Sequence, residues 1–206
     1  QRPTRGDELK LLDLSLKNCE TALVEKLSVA RARFGQERNE RLLLQAQKDL
    51  RLTKVPYHIE GFDNSHIQGY AQVSSCVVFR DGKPARKDYR VFNVETVAEG
   101  RPDDFQAMKE ALLKRYRRAV AEGKPRPDRI VIDGGKGQLS HAIEALRELG
   151  IDRTVPIISI AKRLEEIYYM DDPVPLHIDK KSPTLRLLQR IRDESHATAV
   201  AFHRKN

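Results

Sequence analysis

The sequence predicts an α/β fold, a mixed β-sheet flanked by helices and preceded by a helical segment, and three observations predict it. Apolar residues recur at helical spacing up to about residue 52 and give way to strand-like runs from Tyr57 onward. Three such runs follow one another through short links, which implies an antiparallel meander. Beyond residue 100, helical and strand-like segments alternate, and strands joined through helices add to a sheet in parallel.

The elements follow in order. Leu9, Leu12, Leu16, Leu23 and Leu27, then Leu42, Leu43, Ala46 and Leu50, lie at helical spacing with Gly35 and Asn39 between them. One long helix and a shorter second one are therefore expected, stopped before Pro56. "YHIEGFD" (57–63) is a strand ending on an Asp, and "YAQVSSCVVF" (70–79) is a second strand. A turn at Asp81-Gly82 leads back through "RVFNV". A helix should begin near Pro102 to Asp104, with Phe105, Met108, Leu112, Tyr116 and Val120 as its apolar stripe. Then come a strand over 129–133, a helix over 137–149 stopped at Gly150, and a strand over 156–161. A final helix starts near Ser182-Pro183. The result is a five-stranded mixed sheet in the order of ribonuclease-H-like folds. Residues 1–54 form a helical lead-in segment and residues 55–206 the α/β domain.

Composition narrows the function classes. The 206 residues carry 38 Lys and Arg against 30 Asp and Glu, a formal charge of +8, so the average field favours polyanions. Residues 1–54 and 55–206 share that excess equally, and neither is a dense basic tail. Cys19 and Cys76 lie far apart, which argues against a disulfide framework or a cysteine zinc site and fits a reducing cytosol. No run long and apolar enough to span a membrane is present. A soluble cytoplasmic protein without membrane partners is expected.

The candidate chemistry lies where strands end on carboxylates. Asp133 closes the apolar run "RIVID", at the edge of an α/β sheet where ligands bind. The "GGKG" that follows can set backbone N–H groups and Lys136 at a helix start, a setting that favours anions. Asp63 closes the first strand in the same way, and in this strand order the first strand lies beside the first parallel one. Two such carboxylates repel unless a cation lies between them, and hard oxygen donors suit Mg2+ or Mn2+. Asp103 and Asp104 both stand where a helix cap is expected, and Asp104 is the one aligned with Met108. On the last helix, Gln189, Arg192, His196 and His203 form a polar stripe that, with Arg204 and Lys205 close by, could line a polyanion and supply a base or a further ligand. Plainer readings stand beside each: helix caps for Asp133 and Asp104, an Asx-turn for Asp63, a turn role for His66, and a solvated face for His196. Lys114 to Arg118, "KRYRR", is read equally as a phosphate contact or as a charged outer face.

With these residues laid out, the chain resembles the C-terminal half of the UvrC family, the incision subunit of bacterial nucleotide excision repair. The likeness rests on "IEGFDNSHIQG", "SSCVVFRDGKP", "YRVFNV", "DDFQAM", "VIDGGKGQL" and "LQRIRDESHATAVAFHRK", in the family's order. It implies a ribonuclease-H-like endonuclease that uses Mg2+ or Mn2+ to cut damaged double-stranded DNA on the 5′ side of the lesion, in partnership with UvrB. The family's catalytic residues match Asp63, Asp133 and His196, which would hold the metal, and a further functional carboxylate matches Asp104. Lys136 and Arg192 are expected on the substrate side. The family's GIY-YIG and helix-hairpin-helix modules are expected outside these residues. The alternatives are a polyanion-binding module of the same fold without catalysis, or a nuclease acting on RNA or junction DNA.

Overall fold

In the computed structural model, residues 6–65, 72–94, 97–98, 101–161, 166–170 and 172–204 are described; His66 lies outside them. The chain forms two compact units, Gln1–Arg41 and Leu42–Asn206.

Helix α1 runs unbroken over Asp7–Asp49, where two helices were expected. An interior glycine weakens a helix by only about 1 kcal/mol relative to alanine, too little to end one. Glu37 also pairs with both Arg33 and Arg41 across the expected break. Within the first unit the predicted leucine stripe is uncovered, with Leu16 and Leu23 more than half exposed.

The second unit is built on one sheet. Its strands are β1 (His58–Ser65), β2 (Val73–Arg80), β3 (Lys83–Pro84) and β4 (Arg90–Asn93). A two-stranded ribbon of β5 (Val97–Ala98) and β6 (Arg101–Pro102) stands apart from it, and β7 (Arg129–Asp133), β8 (Ile157–Ile160), β9 (Glu166–Tyr169) and β10 (Leu176–His177) complete it. The order is β10-β9-β8-β7-β1-β2-β3, with β4 also paired to β2. β1 runs antiparallel to β2 and parallel to β7, and β7 runs parallel to β8. The five expected strands are all present, and among the described residues the sheet has eight. The third is split by a 3-10 turn at Arg86–Asp88, and "EIYY" adds an antiparallel edge strand that pairs in turn with β10. Short edge strands of that kind carry too few residues for their alternation to stand out. The Asp81-Gly82 turn has φ of +52° and +74°, the left-handed pair that a two-residue hairpin needs.

Three more helices cover the sheet: α2 (Asp104–Ala121), α3 (Lys136–Glu148) and α4 (Pro183–His203). Alternation along the strands sorts the core into two layers. Phe62, Ile130 and Ile132 face Met108, Leu112, Leu139 and Leu146 of α2 and α3. Ile59, Val77 and Val131 face Leu187, Leu188 and Ile191 of α4, together with Leu43 and Ala46 at the end of α1. Ser182 caps α4 by accepting from Thr184 N–H, and Asp49 accepts from the hydroxyls of Ser182 and Thr184, fixing the start of that helix. Of the expected apolar stripe of α2, Phe105 is outside, 42% exposed.

Candidate active site

Register and alternation together position the two carboxylates: Asp133 ends β7 as expected, whereas β1 runs two residues past Asp63 to Ser65, kept in the sheet by its pairing with β2. Along β1 and β7 the pairs run Ile59–Arg129, Glu60–Ile130, Gly61–Val131 and Phe62–Ile132. Asp63 and Asp133 each come one residue beyond the last pair, on adjacent parallel strands, and both point to the α4 side. A glycine then sets how close α4 can come. A Cβ on Gly61 would stand 2.3 Å from Ile191 Cγ2, so the helix packs directly on the strand backbone there. From that contact, His196 is five residues along α4, about 7.5 Å, and Asp63 two residues along β1, about 6.6 Å. The matched offsets bring the two together: His196 Nδ1 lies 3.2 Å from Asp63 Oδ2. Ser75, directly opposite Asp63 in the β1–β2 ladder and fully buried, donates its hydroxyl to the Ser195 carbonyl at 2.7 Å.

Asp103 and Asp104 divide their tasks. Asp103 caps α2 by accepting from the N–H groups of Phe105 and Gln106. Asp104 turns toward the sheet, where its Oδ1 accepts from Gln72 Nε2 at 2.6 Å and its carbonyl accepts from Asn64 Nδ2 at 2.7 Å. Ser74 donates to Asn64 Oδ1, so β1, β2 and the start of α2 are tied through one polar chain.

These groups line one open cleft of about 740 Å3: Asp63, Asp104 and Asp133 on the sheet and α2 side, Arg192 and His196 on α4, and Asn64 and Gln138 between. Burial and the neighbouring Asp133 push the Asp63 carboxyl up to about 6, against the pull of His196. Two neighbouring carboxylates facing a cleft offer the hard oxygen donors that a divalent cation takes. The three-residue ligand set expected from sequence is not assembled as such. Among the described residues no group of three or more His, Cys, Asp or Glu stands in ligating geometry, and His196 is engaged by Asp63 instead.

The expected substrate-side residues fall in different places. Arg192 lies in the cleft wall, with its Nη2 3.6 Å from Asp193. Lys136 points away: its Nζ donates to the Pro173 carbonyl at 2.7 Å and sits over the Tyr168 ring. The "GGKG" turn starts α3 as expected, yet the Gly135 N–H is taken by Gln138 Oε1 at 3.1 Å. Of "KRYRR", Tyr116 is core, and Arg115 pairs with Glu60 inside the protein.

Sequence reading missed Asn64, Gln72, Ser74 and Ser75, whose roles come from cross-strand partners. It also missed a buried cluster on the other face of β1, where Glu60 accepts from Arg115 and Tyr116 and contacts His58. The signal was present: Glu60 stands inside a strand-like run, where a carboxylate needs partners.

A mixed sheet in this order, with an acid on each of two adjacent parallel strands and a helix bringing a histidine to one of them, defines a ribonuclease-H-like α/β domain. The chain belongs to the UvrC RNase H endonuclease domain family, whose model matches residues 47–200. It is 50% identical over 202 residues to UvrABC system protein C of Flavobacterium johnsoniae, covering 98% of this chain and 34% of that protein. With UvrABC system protein C of Porphyromonas gingivalis W83 the identity is 51%, covering 98% and 33%. The chain thus spans about a third of the length of the curated relatives it matches. Among solved structures, endonuclease V from Bacillus subtilis aligns with a TM-score of 0.41 and 13% identity, covering 82% of this chain and 94% of that one. No helix among the described residues is long and apolar enough to cross a membrane.

Proposed function

We propose that this chain is the metal-dependent endonuclease module that makes the 5′ incision at lesions during nucleotide excision repair, acting in the cytoplasm with UvrB. The observation that carries the reading is the placement of Asp63 and Asp133 on adjacent parallel strands, facing one cleft, with His196 bonded to Asp63. Family membership sets the biological context.

Asp63 and Asp133 would hold the Mg2+ or Mn2+, with Asp104 close by in the same cleft. Bound there, the ion supplies a Lewis acid that lowers the pKa of water and offsets charge building on the phosphoryl oxygens. Asp63 orients His196: a carboxylate accepts at Nδ1, so Nδ1 carries the hydrogen and Nε2 is left as the basic nitrogen. The His196 side chain is 67% exposed, so Nε2 can take a proton from a water in the cleft. Arg192 holds a non-bridging phosphate oxygen. Asp104, fixed by Gln72 and Asn64, sets the cleft wall opposite α4.

The test is nicking of a lesion-bearing duplex by the longer protein with its partner proteins, with Mn2+ or Mg2+ added. Asp63→Ala, Asp133→Ala and His196→Ala should each abolish the 5′ cut while circular dichroism shows the fold intact. A normal 5′ cut by the Asp133→Ala protein would overturn the mechanism.

A further inference from the structure

Beside the cleft stands an aromatic pair to which the proposed reaction gives no part. Phe105 follows Asp104 on α2, and its ring is 42% exposed. Single exposed apolar side chains are ordinary on protein surfaces and by themselves carry no meaning. This ring, however, is held at two points and still keeps 42% of its surface open. Its Cε1 lies 2.3 Å from where a Cβ of Gly137 would be, so it rests directly on the backbone of α3. It also stacks on His141, with ring centroids 5.2 Å apart and planes 16° from parallel. His141 is itself anchored, its Nδ1 3.0 Å from the Gly137 carbonyl. A carbonyl only accepts, so Nδ1 carries the hydrogen and the ring orientation is set.

The position of this stack gives it a use. Phe105 and Gly137 are the immediate chain neighbours of Asp104 and Gln138, and both of those line the cleft. The stack thus lies one residue along α2 and α3 from side chains that line a polar site holding carboxylates, Arg192 and His196. A ligand that satisfies both halves carries a phosphodiester and, one bond path away, a planar apolar face. That ligand is a nucleotide. Aromatic side chains stack any base, because every base has a π-face.

We infer that the Phe105–His141 stack is a nucleobase platform at the rim of the cleft, holding a base next to the phosphate that the cleft receives. The inference rests on the nuclease reading above and extends it to the unpaired base of the substrate strand. It also accounts for an apolar residue left outside the core on a helix whose other stripe positions, Met108, Leu112 and Tyr116, are buried.

The chain contains no tryptophan, so Phe105→Trp provides a unique fluorescent reporter. The probes are a single-stranded oligothymidylate and the same oligomer built from abasic units, which keeps the phosphates and removes the bases. Expected are fluorescence quenching by the base-bearing oligomer and none by the abasic one. Phe105→Ala should loosen the base-bearing oligomer by roughly 5- to 150-fold, the range that base–aromatic stacking spans, and leave the abasic one unchanged. Phe105→Leu, which keeps Gly137 covered without a π-face, should behave like Phe105→Ala and retain the wild-type Tm. Equal quenching by both oligomers, or equal affinities in the wild type and Phe105→Ala, overturns the platform while leaving the nuclease reading intact. Failure of the wild type to bind either oligomer overturns the platform, while the nicking assay above decides the nuclease reading separately.

Discussion

Ile191 fills the space that a side chain at Gly61 would take: a Cβ there would stand 2.3 Å from Ile191 Cγ2 and 3.2 Å from Val77 Cγ2. Neither neighbour is the loose end of a long side chain, and both are fully covered core residues. Gly61→Ala should therefore push α4 away from β1 and draw His196 off Asp63. Overpacking of this kind typically costs about 1–3 kcal/mol. At roughly 2–4 °C per kcal/mol for a domain of this size, the Tm should fall by several degrees. Nicking should fall further than stability does, because a shift of about 1 Å in a catalytic group can lower a rate a hundredfold. Thermal melts and nicking rates on the same preparation would check this; an unchanged Tm with normal nicking would mean that the glycine does not set the approach.

Ser75 ties the same side of α4 to the sheet one turn further on, donating to the carbonyl of the residue just before His196. Ser75→Ala removes one buried hydrogen bond, about 1 kcal/mol of stability. The Ser195 carbonyl is part of a helix and keeps its intrahelical bond, so the fold should survive. Ser75 acts on the reaction through the position of His196, so kcat should fall with KM unchanged. A rise in KM alone would assign it to substrate binding instead.

How much of this was legible beforehand depends on what each residue answers to. Asp63 and Asp133 could be read because each follows apolar residues of a strand, and strand order alone made them neighbours, although β1 goes on to Ser65 where the sequence suggested a stop at Asp63. His196 could be placed on a polar helix stripe, yet the contact with Asp63 depends on Gly61, whose meaning appears only when Ile191 is seen above it. Phe105 fits a helical stripe by period, and its ring is half exposed because it packs on Gly137 and His141 of α3 and not among the buried side chains of the stripe. Lys136 stood in a phosphate-binding pattern, but the pattern did not show that Pro173 would take its amine. The unbroken α1 was misread at Gly35 because glycine marks breaks only when nothing else holds the helix, and Glu37 holds it here.

The Asp63–Asp133 pair predicts how metal and pH act on stability. Asp63 ionises at about 6, above its ordinary value of 3.8, held up by burial and by Asp133. A carboxyl whose folded-state pKa is raised costs stability as pH rises from about 4 through 6, since the unfolded chain ionises more readily. Asp133→Asn removes one charge and should raise the Tm of the metal-free protein at pH 7, by roughly 2–4 °C for about 1 kcal/mol regained. Mn2+ added to the wild type should raise its Tm, because a ligand that binds only the folded state stabilises it. The same addition should leave Asp133→Asn nearly unmoved, and chelation should reverse the wild-type shift. Equal Mn2+ shifts in both proteins would show that the ion is held elsewhere.

Glu60 predicts the opposite pH dependence, at lower pH. Burial opposes its charge, yet hydrogen bonds from His58, Arg115 and Tyr116 and the charge of Arg115 outweigh that and hold the carboxyl at about 2, against an ordinary 4.5. A carboxyl whose folded-state pKa is depressed adds stability above its unfolded value, and that stability is lost as pH falls from about 4.5 toward 2. At 1.36 kcal/mol per unit the contribution is about 3 kcal/mol. Denaturant unfolding between pH 7 and pH 2.5 should show this loss in the wild type. Glu60→Gln leaves the Arg115 guanidinium partly buried without a counter-charge, and breaking a buried pair in this way costs about 3–5 kcal/mol at neutral pH. Below pH 4.5 the two curves should converge, since protonation removes in the wild type the same charge that the substitution removes. Parallel curves across that window would show that the acid limb belongs to other carboxylates, and that Glu60 contributes through packing and neutral hydrogen bonds alone.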